Sequence, residues 1–319
     1  MEYIDSIITS DSMQYLRQLP NECVNCCITS PPYYGLRDYG MAEQIGLEET
    51  PDAYIARLVE IFSEVRRVLK PNGTLWVNIG DSYAGSGKGA WRNKTAQKEV
   101  YMPDPGDPQT RMPKTWGEIK AKDLIGIPWM LAFSLRTVGW YWRADIIWHK
   151  PNSMPESVTD RPTKAHEYIL LFAKSARYYF DNDAIAEAVA TSTIERCNTK
   201  SSLPRYGGKK YTESPDQFYR TKSGSMYKLR TKRNKRSVWS VATKPFNDAH
   251  FAVYPEALVV DCIKAGCPEN GVVLDPFMGG GTTAVVARKL NRHFAGCELN
   301  PEYVKIADKR LKNEIGLFL

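Results

Sequence analysis

A glycine-rich motif near the end of the chain has the residue types of a nucleoside-binding turn. The apolar run 272–274 predicts a buried strand that ends in Asp275 and leads, through Phe277, into three glycines and two threonines that open a helix. Glycines let the backbone approach a ligand closely, and a helix N-terminus offers free N–H groups. About twenty residues further on, a second predicted strand ends in Glu298, whose carboxylate can accept hydrogen bonds from both ribose hydroxyls.

The glycine motif differs from the turns that hold phosphates. It is neither G-x-G-x-x-G nor G-x-x-x-x-G-K, and the loop contains no lysine. The spacing therefore favours an adenosine-containing cofactor that is not held by its phosphates. A dinucleotide site and a glycine turn without a ligand are the alternatives.

A second motif, Thr29-Ser30-Pro31-Pro32-Tyr33, lies where a predicted strand gives way to a loop. The two prolines stiffen the backbone and remove two N–H donors. The Ser30 hydroxyl and the Pro31 carbonyl then offer hydrogen-bond acceptors beside the aromatic face of Tyr33. This combination matches the planar amino group of a nucleobase. The alternative is a tight turn packed by an aromatic ring.

Positive charge is concentrated in one stretch of the chain. Residues 196–244 contain 14 lysines and arginines but only two acids, which gives this segment a charge of +12 against +7 for the whole chain. Aromatic residues, Trp239 among them, are interleaved with the basic ones. Such a composition suits a phosphate backbone and exposed bases, although a solvated basic linker would look similar. The candidate nucleic-acid-binding residues are Arg205, Lys209, Lys210, Arg220, Lys228, Arg230, Lys232, Arg233, Lys235 and Arg236.

Alternating strand and helix patterns must position these motifs. Strands are predicted at 3–9, 24–29, 74–79, 142–148, 168–172, 272–275 and 293–298. Helices are predicted at 12–19, 52–69, 124–138, 254–265, 282–290 and 301–311, with Asp11 or Ser12 as the cap of the first. This rhythm predicts an α/β fold, a mostly parallel sheet covered by helices on both faces. The segment 82–122 is rich in glycine, proline and lysine and predicts a mobile loop.

The two motifs and the basic segment occur in an order that resembles the beta group of S-adenosylmethionine-dependent DNA amino-methyltransferases. In that group the catalytic motif comes first, the target-recognition region second and the cofactor motif last. The resemblance covers nearly the whole chain. It includes the segments 11–13, 69–73, 80–83, 145–152, 164–168 and 250–255.

The resemblance implies a Rossmann-like methyltransferase fold with a seven-stranded sheet. The corresponding domains are a catalytic half at 1–183, a basic target-recognition region at 184–245 and a cofactor-binding half at 246–319. It implies S-adenosylmethionine as cofactor and double-stranded DNA as partner, and it leaves a cognate restriction endonuclease open as a second partner.

The resemblance also implies a role for each motif residue. Ser30, Pro31, Pro32 and Tyr33 would hold the flipped base. Asp11 would reach the adenine of the cofactor with Ser12 nearby, Glu298 would hold the ribose, and Pro255 belongs to the motif that grips the methionine carboxylate. Asp275, Phe277, Gly279 and Gly281 would surround the methionine part, and Thr282 and Thr283 would cap the following helix and help to bind the cofactor.

The first residue of the catalytic motif bears on which base is methylated. In this family Ser-Pro-Pro-Tyr is associated with N4 of cytosine, whereas Asp or Asn at the first position is associated with N6 of adenine. A direct displacement, in which Ser30 and Pro31 hold the amino group, needs no covalent enzyme intermediate, so its rate must come from positioning. The alternatives are an N6-adenine methyltransferase, an RNA methyltransferase and a catalytically silent DNA-binding protein.

Composition narrows the remaining possibilities. No apolar segment approaches the ~18 residues of a membrane span, and the N-terminus lacks a signal-peptide pattern, so a cytoplasmic protein is expected. Seven cysteines, an odd number in a long chain, do not suggest a disulfide framework. Cys23-x-x-Cys26 has zinc-like spacing without a second pair, and we interpret these cysteines as buried thiols with no metal.

Overall fold

The structure, a computed structural model, describes residues 3–35, 41, 44–85, 117–192, 218–220, 226–228, 232–243 and 254–316. Its contacts divide the chain into two units. The first consists of Met1–Asp181 and Ser237–Leu319, and the second is Asn182–Arg236. Most of the predicted loop at 82–122, and with it the prediction of mobility, lies outside the described residues.

Twelve strands lie within the described residues. They are β1 Ser6–Thr9, β2 Val24–Thr29, β3 Leu69–Ile79, β4 Tyr141–His149, β5 His166–Ala173, β6 Glu187–Ala188, β7 Phe218–Arg220, β8 Met226–Lys228, β9 Lys232–Arg233, β10 Val238–Ser240, β11 Val272–Asp275 and β12 His293–Glu298. Eight of them form the sheet of the first unit, in the order β1-β12-β11-β2-β3-β5-β4-β10. The pairs from β1 to β3 and the β4–β10 pair are parallel, and β5 is antiparallel to both of its neighbours.

Helices cover both faces of this sheet. The described helices are α1 Ser12–Gln18, α2 Pro51–Val68, α3 Ile127–Thr137, α4 Glu256–Gly266, α5 Thr282–Lys289 and α6 Pro301–Ile315. α1, α2 and α3 share one apolar core with alternate residues of the central strands, while α4, α5 and α6 pack against one another and the opposite face. Of these helices, none combines the length and apolar composition that crossing a bilayer requires.

Polar side chains cap the N-termini of three helices. Asp11 caps α1 by accepting a hydrogen bond from the Gln14 amide at 3.0 Å, as the sequence predicts. Thr50 caps α2 in the same way, and Asn300 caps α6. In α2 and α6 a proline occupies the first turn, where its missing N–H has no intrahelical partner to lose. These local signals explain why the predicted helix starts lie close to the observed ones.

The mostly parallel α/β fold is confirmed, but the expected count of seven strands is wrong. The eighth strand is β10, which lies inside the segment that we assigned to the basic region and pairs with β4 at the sheet edge. The sequence predicts that Trp239, in β10, is one of the aromatic residues that contact bases. Its side chain is only 5% exposed, and the centre of its ring lies 6.5 Å from that of Trp76. For this reason the second unit ends at Arg236, whereas the expected target-recognition region runs to residue 245.

Strand β3 starts earlier than predicted. Its first residue, Leu69, pairs with Val24, and regular pairing resumes only between Thr74 and Cys26. The intervening Lys-Pro-Asn-Gly sequence forms an irregularity in the strand, not a turn before it. The helix predicted at 52–69 therefore ends within one residue of the observed α2, while the strand predicted to start at residue 74 starts five residues earlier.

The second unit contains two short antiparallel pairs, β6 with β9 and β7 with β8. Arg233 and Arg236 both contact the Glu187 carboxylate at 3.2 Å. The surrounding arginines lower the pKa of Glu187 although burial opposes this shift. Part of the positive charge of this unit is therefore neutralised internally.

The cysteines behave mostly as the sequence predicts. Cys26, Cys27, Cys262, Cys267 and Cys297 are buried free thiols, and Cys23 is half-buried. Burial holds the pKa of Cys26 and of Cys27 well above the usual range, which keeps these thiols protonated and unreactive.

Candidate active site

The sequence motifs meet at one edge of the sheet. Because β1, β12, β11, β2 and β3 run in parallel, their carboxyl ends share that edge, where α/β sheets bind ligands. The antiparallel β5 brings its first residues to the same edge. The strand order places the ends of β1, β12 and β11 on one side, with those of β2 and β3 beside them.

Asp275, at the end of β11, connects the two motifs. Its carboxylate is fully buried and accepts hydrogen bonds from Thr29 Oγ1 at 2.6 Å, Thr283 Oγ1 at 2.6 Å, Tyr254 OH at 3.0 Å and the Phe277 amide at 3.1 Å. Burial raises the pKa of Asp275, and these four donors oppose the rise. With four donors from the protein, the carboxylate has little capacity for a ligand. It braces the surrounding loops, and its expected contact with the cofactor stays a prediction.

The glycine loop enters α5 in a way that the sequence did not predict. The N-cap is Gly281, in the left-handed conformation with φ 77°, and no side chain caps the helix. A Cβ at Gly281 would also lie 2.8 Å from that of Ala307, so only glycine fits. The expected capping by Thr282 and Thr283 is therefore wrong. The Thr283 hydroxyl donates to Asp275, and that of Thr282 accepts from Arg310 at 2.8 Å.

Glu298 ties the glycine loop to the start of α6. One carboxylate oxygen accepts the Gly279 amide at 2.9 Å, and the other accepts the Asn300 amide at 2.9 Å. Burial raises the pKa of Glu298, and the two amides oppose this shift. Each oxygen has two lone pairs, so both retain acceptor capacity for the ribose hydroxyls assigned to Glu298.

The remaining predicted cofactor residues lie at the same edge. Asp11 and Ser12 follow β1, and the Ser12 hydroxyl is buried with no partner among the described residues. Asp11 uses one carboxylate oxygen to cap α1. Pro255 is the N-cap of α4, and Tyr254 before it is the residue that reaches the Asp275 cluster.

The catalytic motif follows β2 directly and is held from behind. Pro31 is buried, Ser30, Pro32 and Tyr33 are half-buried, and Tyr54 of α2 donates a hydrogen bond of 2.9 Å to the Pro32 carbonyl. The Tyr33 hydroxyl donates to Glu167 Oε2 at 2.7 Å. Burial, together with the Glu167 carboxylate, holds the pKa of Tyr33 well above its usual range, so the phenol stays protonated.

Three polar residues surround this motif that sequence reasoning did not assign to the site. Asn78, near the end of β3, donates from Nδ2 to Tyr33 OH at 2.7 Å and to Ser30 Oγ at 3.3 Å. Glu167, in β5, also forms an ion pair with Lys150. The side chains of Glu167 and Lys150 are 18% and 19% exposed. Together these contacts fix the orientation of Tyr33 and Ser30.

Asp81 lies just after β3 at the same edge of the sheet. One of its carboxylate oxygens accepts the amides of Ser82, Gly126 and Ile127, each at 2.9 Å, and so ties β3 to the start of α3. Burial raises the pKa of Asp81, while these amides and Lys164 oppose the rise. Its second oxygen is buried without a hydrogen bond in the described part of the chain.

The sequence contains weak signals for these missed residues. Asn78 lies near the end of the strand predicted at 74–79, Asp81 follows that strand by two residues, and Glu167 immediately precedes the strand predicted at 168–172. The segments 80–83, 145–152 and 164–168 carried part of the family resemblance, but no residue in them received a role. Only the pairing of β3 with β5 brings Asn78 and Glu167 together.

The structure describes the candidate DNA-binding residues only in part. Side chains are described for Lys232, Arg233, Lys235 and Arg236, and the backbone alone for Arg220 and Lys228. Arg205, Lys209, Lys210 and Arg230 lie outside the described residues. The DNA-binding role of the whole set stays a prediction.

Comparison with protein families decides what kind of protein carries this site. The family model described as DNA methylase, for N6 and N4 methyltransferases, matches residues 24–309. The chain belongs to this N6/N4 DNA methylase family. The expected DNA amino-methyltransferase is thereby confirmed, and DNA is the substrate of the family.

Type II methyltransferases resemble this DNA methylase over nearly its full length. It is 44% identical to M.Cfr9I of Citrobacter freundii over 97% of this chain and 88% of that protein. It is 42% identical to M.SmaI of Serratia marcescens over 96% of this chain and 90% of that protein. The DNA methylase is therefore a member of the type II methyltransferases.

Solved structures share the fold of this DNA methylase. The PvuII DNA methyltransferase, which its title describes as cytosine-N4-specific, matches with a TM-score of 0.62 and 18% identity over 96% of this chain and 85% of that one. A protein from Thermus thermophilus, solved in complex with S-adenosylmethionine, matches with a TM-score of 0.57 and 20% identity over 98% of this chain and 96% of that one. The family uses S-adenosylmethionine, as the sequence predicts.

Proposed function

We propose that this DNA methylase transfers a methyl group to the N4 amino group of cytosine in double-stranded DNA. The observation that carries the proposal is the hydrogen bond between Thr29 and Asp275, 2.6 Å long. Thr29 immediately precedes the catalytic motif, and Asp275 opens the cofactor motif. A base held by one motif and a cofactor held by the other would therefore lie in the same cleft.

The base would be gripped by the motif at 30–33. Ser30 Oγ and the Pro31 carbonyl would accept the N–H bonds of the amino group, and the ring of Tyr33 would stack on the base. Holding both N–H bonds directs the nitrogen lone pair away from them, toward the cofactor side. The nitrogen gains the methyl group as the carbon–sulfur bond breaks, and it then releases one of its two protons through the Ser30 hydroxyl to solvent. Since no covalent intermediate is needed, most of the acceleration comes from this alignment.

The residues around the glycine loop fit S-adenosylmethionine. The buried Ser12 hydroxyl lacks a partner in the described part of the protein, and the Glu298 carboxylate retains acceptor capacity, so both can receive polar groups of the nucleoside. When bound, S-adenosylmethionine supplies an electrophilic methyl group on a sulfonium. The residues proposed to form its site are Asp11, Ser12, Pro255, Asp275, Phe277, Gly279, Gly281, Thr282, Thr283 and Glu298, and among them Asp275 would act by bracing the surrounding loops.

The choice of cytosine rests on the neutral Ser30 at the first position of the motif, which the family resemblance associates with N4 methylation. Cytosine and adenine both present an amino group beside a ring nitrogen acceptor, so the hydrogen-bonding groups of the site would accept either. The PvuII title describes that protein, and at 18% identity the likeness extends to the fold. N6 of adenine is therefore the competing target.

Two further parts of the proposal concern partners. The basic residues at 205–236 would contact the DNA backbone and so supply the target-recognition region. The type II names of the relatives support a cognate restriction endonuclease that cuts the sequence methylated by this protein.

Analysis of the modified nucleoside tests the proposal. Mixed-sequence duplex DNA is incubated with the protein and deuterium-labelled S-adenosylmethionine, digested to nucleosides and analysed by mass spectrometry, with RNA in a parallel reaction. Labelled N4-methylcytosine is the expected product. Labelled N6-methyladenine would overturn the choice of base, label in RNA alone would overturn DNA as the substrate, and no label in any nucleic acid would favour a silent DNA-binding protein.

A further inference from the structure

The hydroxyl of Tyr33 is fully engaged inside the protein. It donates to Glu167 Oε2 and accepts from Asn78 Nδ2, both at 2.7 Å. A phenol has one proton to donate, and this proton points at the carboxylate. Tyr33 can therefore meet a base only with its ring, and its hydroxyl serves to set the angle of that ring.

The position of the Tyr33 ring is also fixed by the neighbouring backbone. A Cβ at Gly80 would lie 2.8 Å from ring atom Cε2 and 3.2 Å from Cδ2, so the ring lies against the bare backbone at the end of β3. Behind the motif, a Cβ at Gly46 would lie 2.9 Å from the Tyr33 carbonyl oxygen. The ring thus contacts the protein along one edge and is anchored at its tip.

Glu167 is the charged member of this arrangement and is itself held in place. Its second carboxylate oxygen forms an ion pair with Lys150, whose ammonium group lies 4.3 Å from the centre of the Trp148 ring. A carboxylate that is only 18% exposed needs a compensating charge. Trp148 and Glu167 are directly opposite each other on β4 and β5, so the sheet register brings the pair together.

We propose that Glu167, charge-paired with Lys150, is a positioning residue for methyl transfer that acts by orienting the Tyr33 ring beneath the target base. The inference rests on the proposed function in one respect, namely that Tyr33 contacts the base. Glu167 acts through Tyr33 and does not touch the reacting atoms. Its contribution should appear in kcat and depend on the Tyr33 hydroxyl.

A double-mutant cycle tests this dependence. Tyr33→Phe, Glu167→Gln and the combined variant are compared for kcat, for KM with duplex DNA and for the Kd of S-adenosylmethionine measured by calorimetry. We expect Tyr33→Phe to lower kcat by about tenfold and Glu167→Gln by about three- to tenfold. The combined variant should fall no further than about twofold below the less active single variant, because both changes remove the same hydrogen bond.

Lys150→Met extends the test to the ion pair. This variant leaves the Glu167 carboxylate without its partner, and its kcat should fall about as far as that of Glu167→Gln. The Kd of S-adenosylmethionine should stay within about twofold of wild type in every variant, since none of these residues belongs to β1, β11 or β12. Glu64→Gln is the matched control, because Glu64 forms a half-buried ion pair with Arg67 on α2.

Multiplicative effects of Tyr33→Phe and Glu167→Gln on kcat would overturn the inference. So would a loss of cofactor affinity, or a fall in thermal midpoint that accounts for the lost activity, since either would indicate a merely structural role. The cycle is measured on whichever base the wild-type protein methylates. If cytosine is the wrong base, the methylated product will show it. If the inference fails, the effects of Tyr33→Phe and Glu167→Gln on kcat will multiply in the combined variant.

Discussion

The Thr29 hydroxyl donates a hydrogen bond of 2.6 Å to Oδ1 of Asp275, a residue 246 positions further along the chain. Both side chains are buried. The bond joins β2, which leads into the catalytic motif, to β11, which leads into the glycine loop. Two motifs that are far apart in sequence are thus joined by a direct hydrogen bond between buried side chains at the ends of two paired strands.

Thr29→Val should destabilise the protein by leaving a buried carboxylate one donor short. We expect the free energy of unfolding to fall by about 1–3 kcal/mol, as measured by urea denaturation. Thr29→Ser keeps the hydroxyl and serves as control, with a smaller loss. A larger loss in Thr29→Ser than in Thr29→Val would show that packing of the methyl group, which valine keeps and serine lacks, stabilises this edge more than the hydrogen bond does.

Ser30→Ala should lower turnover far more than cofactor affinity. Ser30 lies on the base side of the cleft, and the loss of one positioned acceptor is expected to reduce kcat by about 10- to 1000-fold. The Kd of S-adenosylmethionine, measured by calorimetry, should be unchanged. Ser63→Ala, on the exposed face of α2, is the matched control. A collapse of cofactor binding in Ser30→Ala would contradict the role assigned to Ser30.

Glu298 should make cofactor binding depend on pH. The ionised carboxylate accepts hydrogen bonds from the ribose. The affinity for S-adenosylmethionine should therefore be highest above the pKa of Glu298 and fall as the pH drops through that pKa. Because burial raises the pKa above the usual 4.5, the loss should begin at a higher pH than for an exposed glutamate. Titration of the Kd for S-adenosylmethionine against pH measures this.

Glu298→Gln isolates the contribution of that carboxylate. We expect affinity at neutral pH to fall by about 10- to 100-fold, because charged hydrogen bonds are lost and the amide places a donor against a backbone N–H. The acid-dependent loss attributed to Glu298 should disappear. Glu302→Gln, at an exposed position of α6, is the control. An unaltered pH profile in Glu298→Gln would assign the titration to another group.

Neutralising the described basic residues Lys232, Arg233, Lys235 and Arg236 should weaken DNA binding. Each lost phosphate contact should reduce the slope of log K against log salt by about 0.9. Binding is measured by fluorescence anisotropy over a range of salt concentrations. The same number of lysine or arginine changes outside 196–244, for example at Lys309 and Lys312 of α6, controls for net charge.

The acid that partners these arginines offers a complementary test. Glu187 contacts Arg233 and Arg236, so Glu187→Gln should free positive charge for phosphates and raise DNA affinity. If the salt slope is unchanged in the basic variants and affinity is unchanged in Glu187→Gln, the second unit is not the DNA-contacting region.

Local patterns in the sequence were sufficient for most of the fold and for the position of the motifs. The helical spacing at 52–69, the cap at Asp11 and the strand that ends in Asp275 each depend on neighbours within a few residues. The order of the motifs was sufficient for the family. These features can be predicted from the sequence because hydrophobic periodicity, capping and glycine turns are short-range effects.

Contacts between distant segments could not be predicted in this way. Val238–Ser240 lies in a basic, weakly periodic stretch, and becomes a strand because β4 offers it an unpaired edge. The sequence predicts Thr283 as a helix cap, yet its hydroxyl bonds to Asp275 because Gly281 already starts α5. Glu167 reaches Tyr33 across 134 positions of sequence. The sequence thus identified which residues could carry the chemistry, while strand pairing and burial selected the partners that orient them, since a side-chain hydrogen bond depends on distances that folding alone sets.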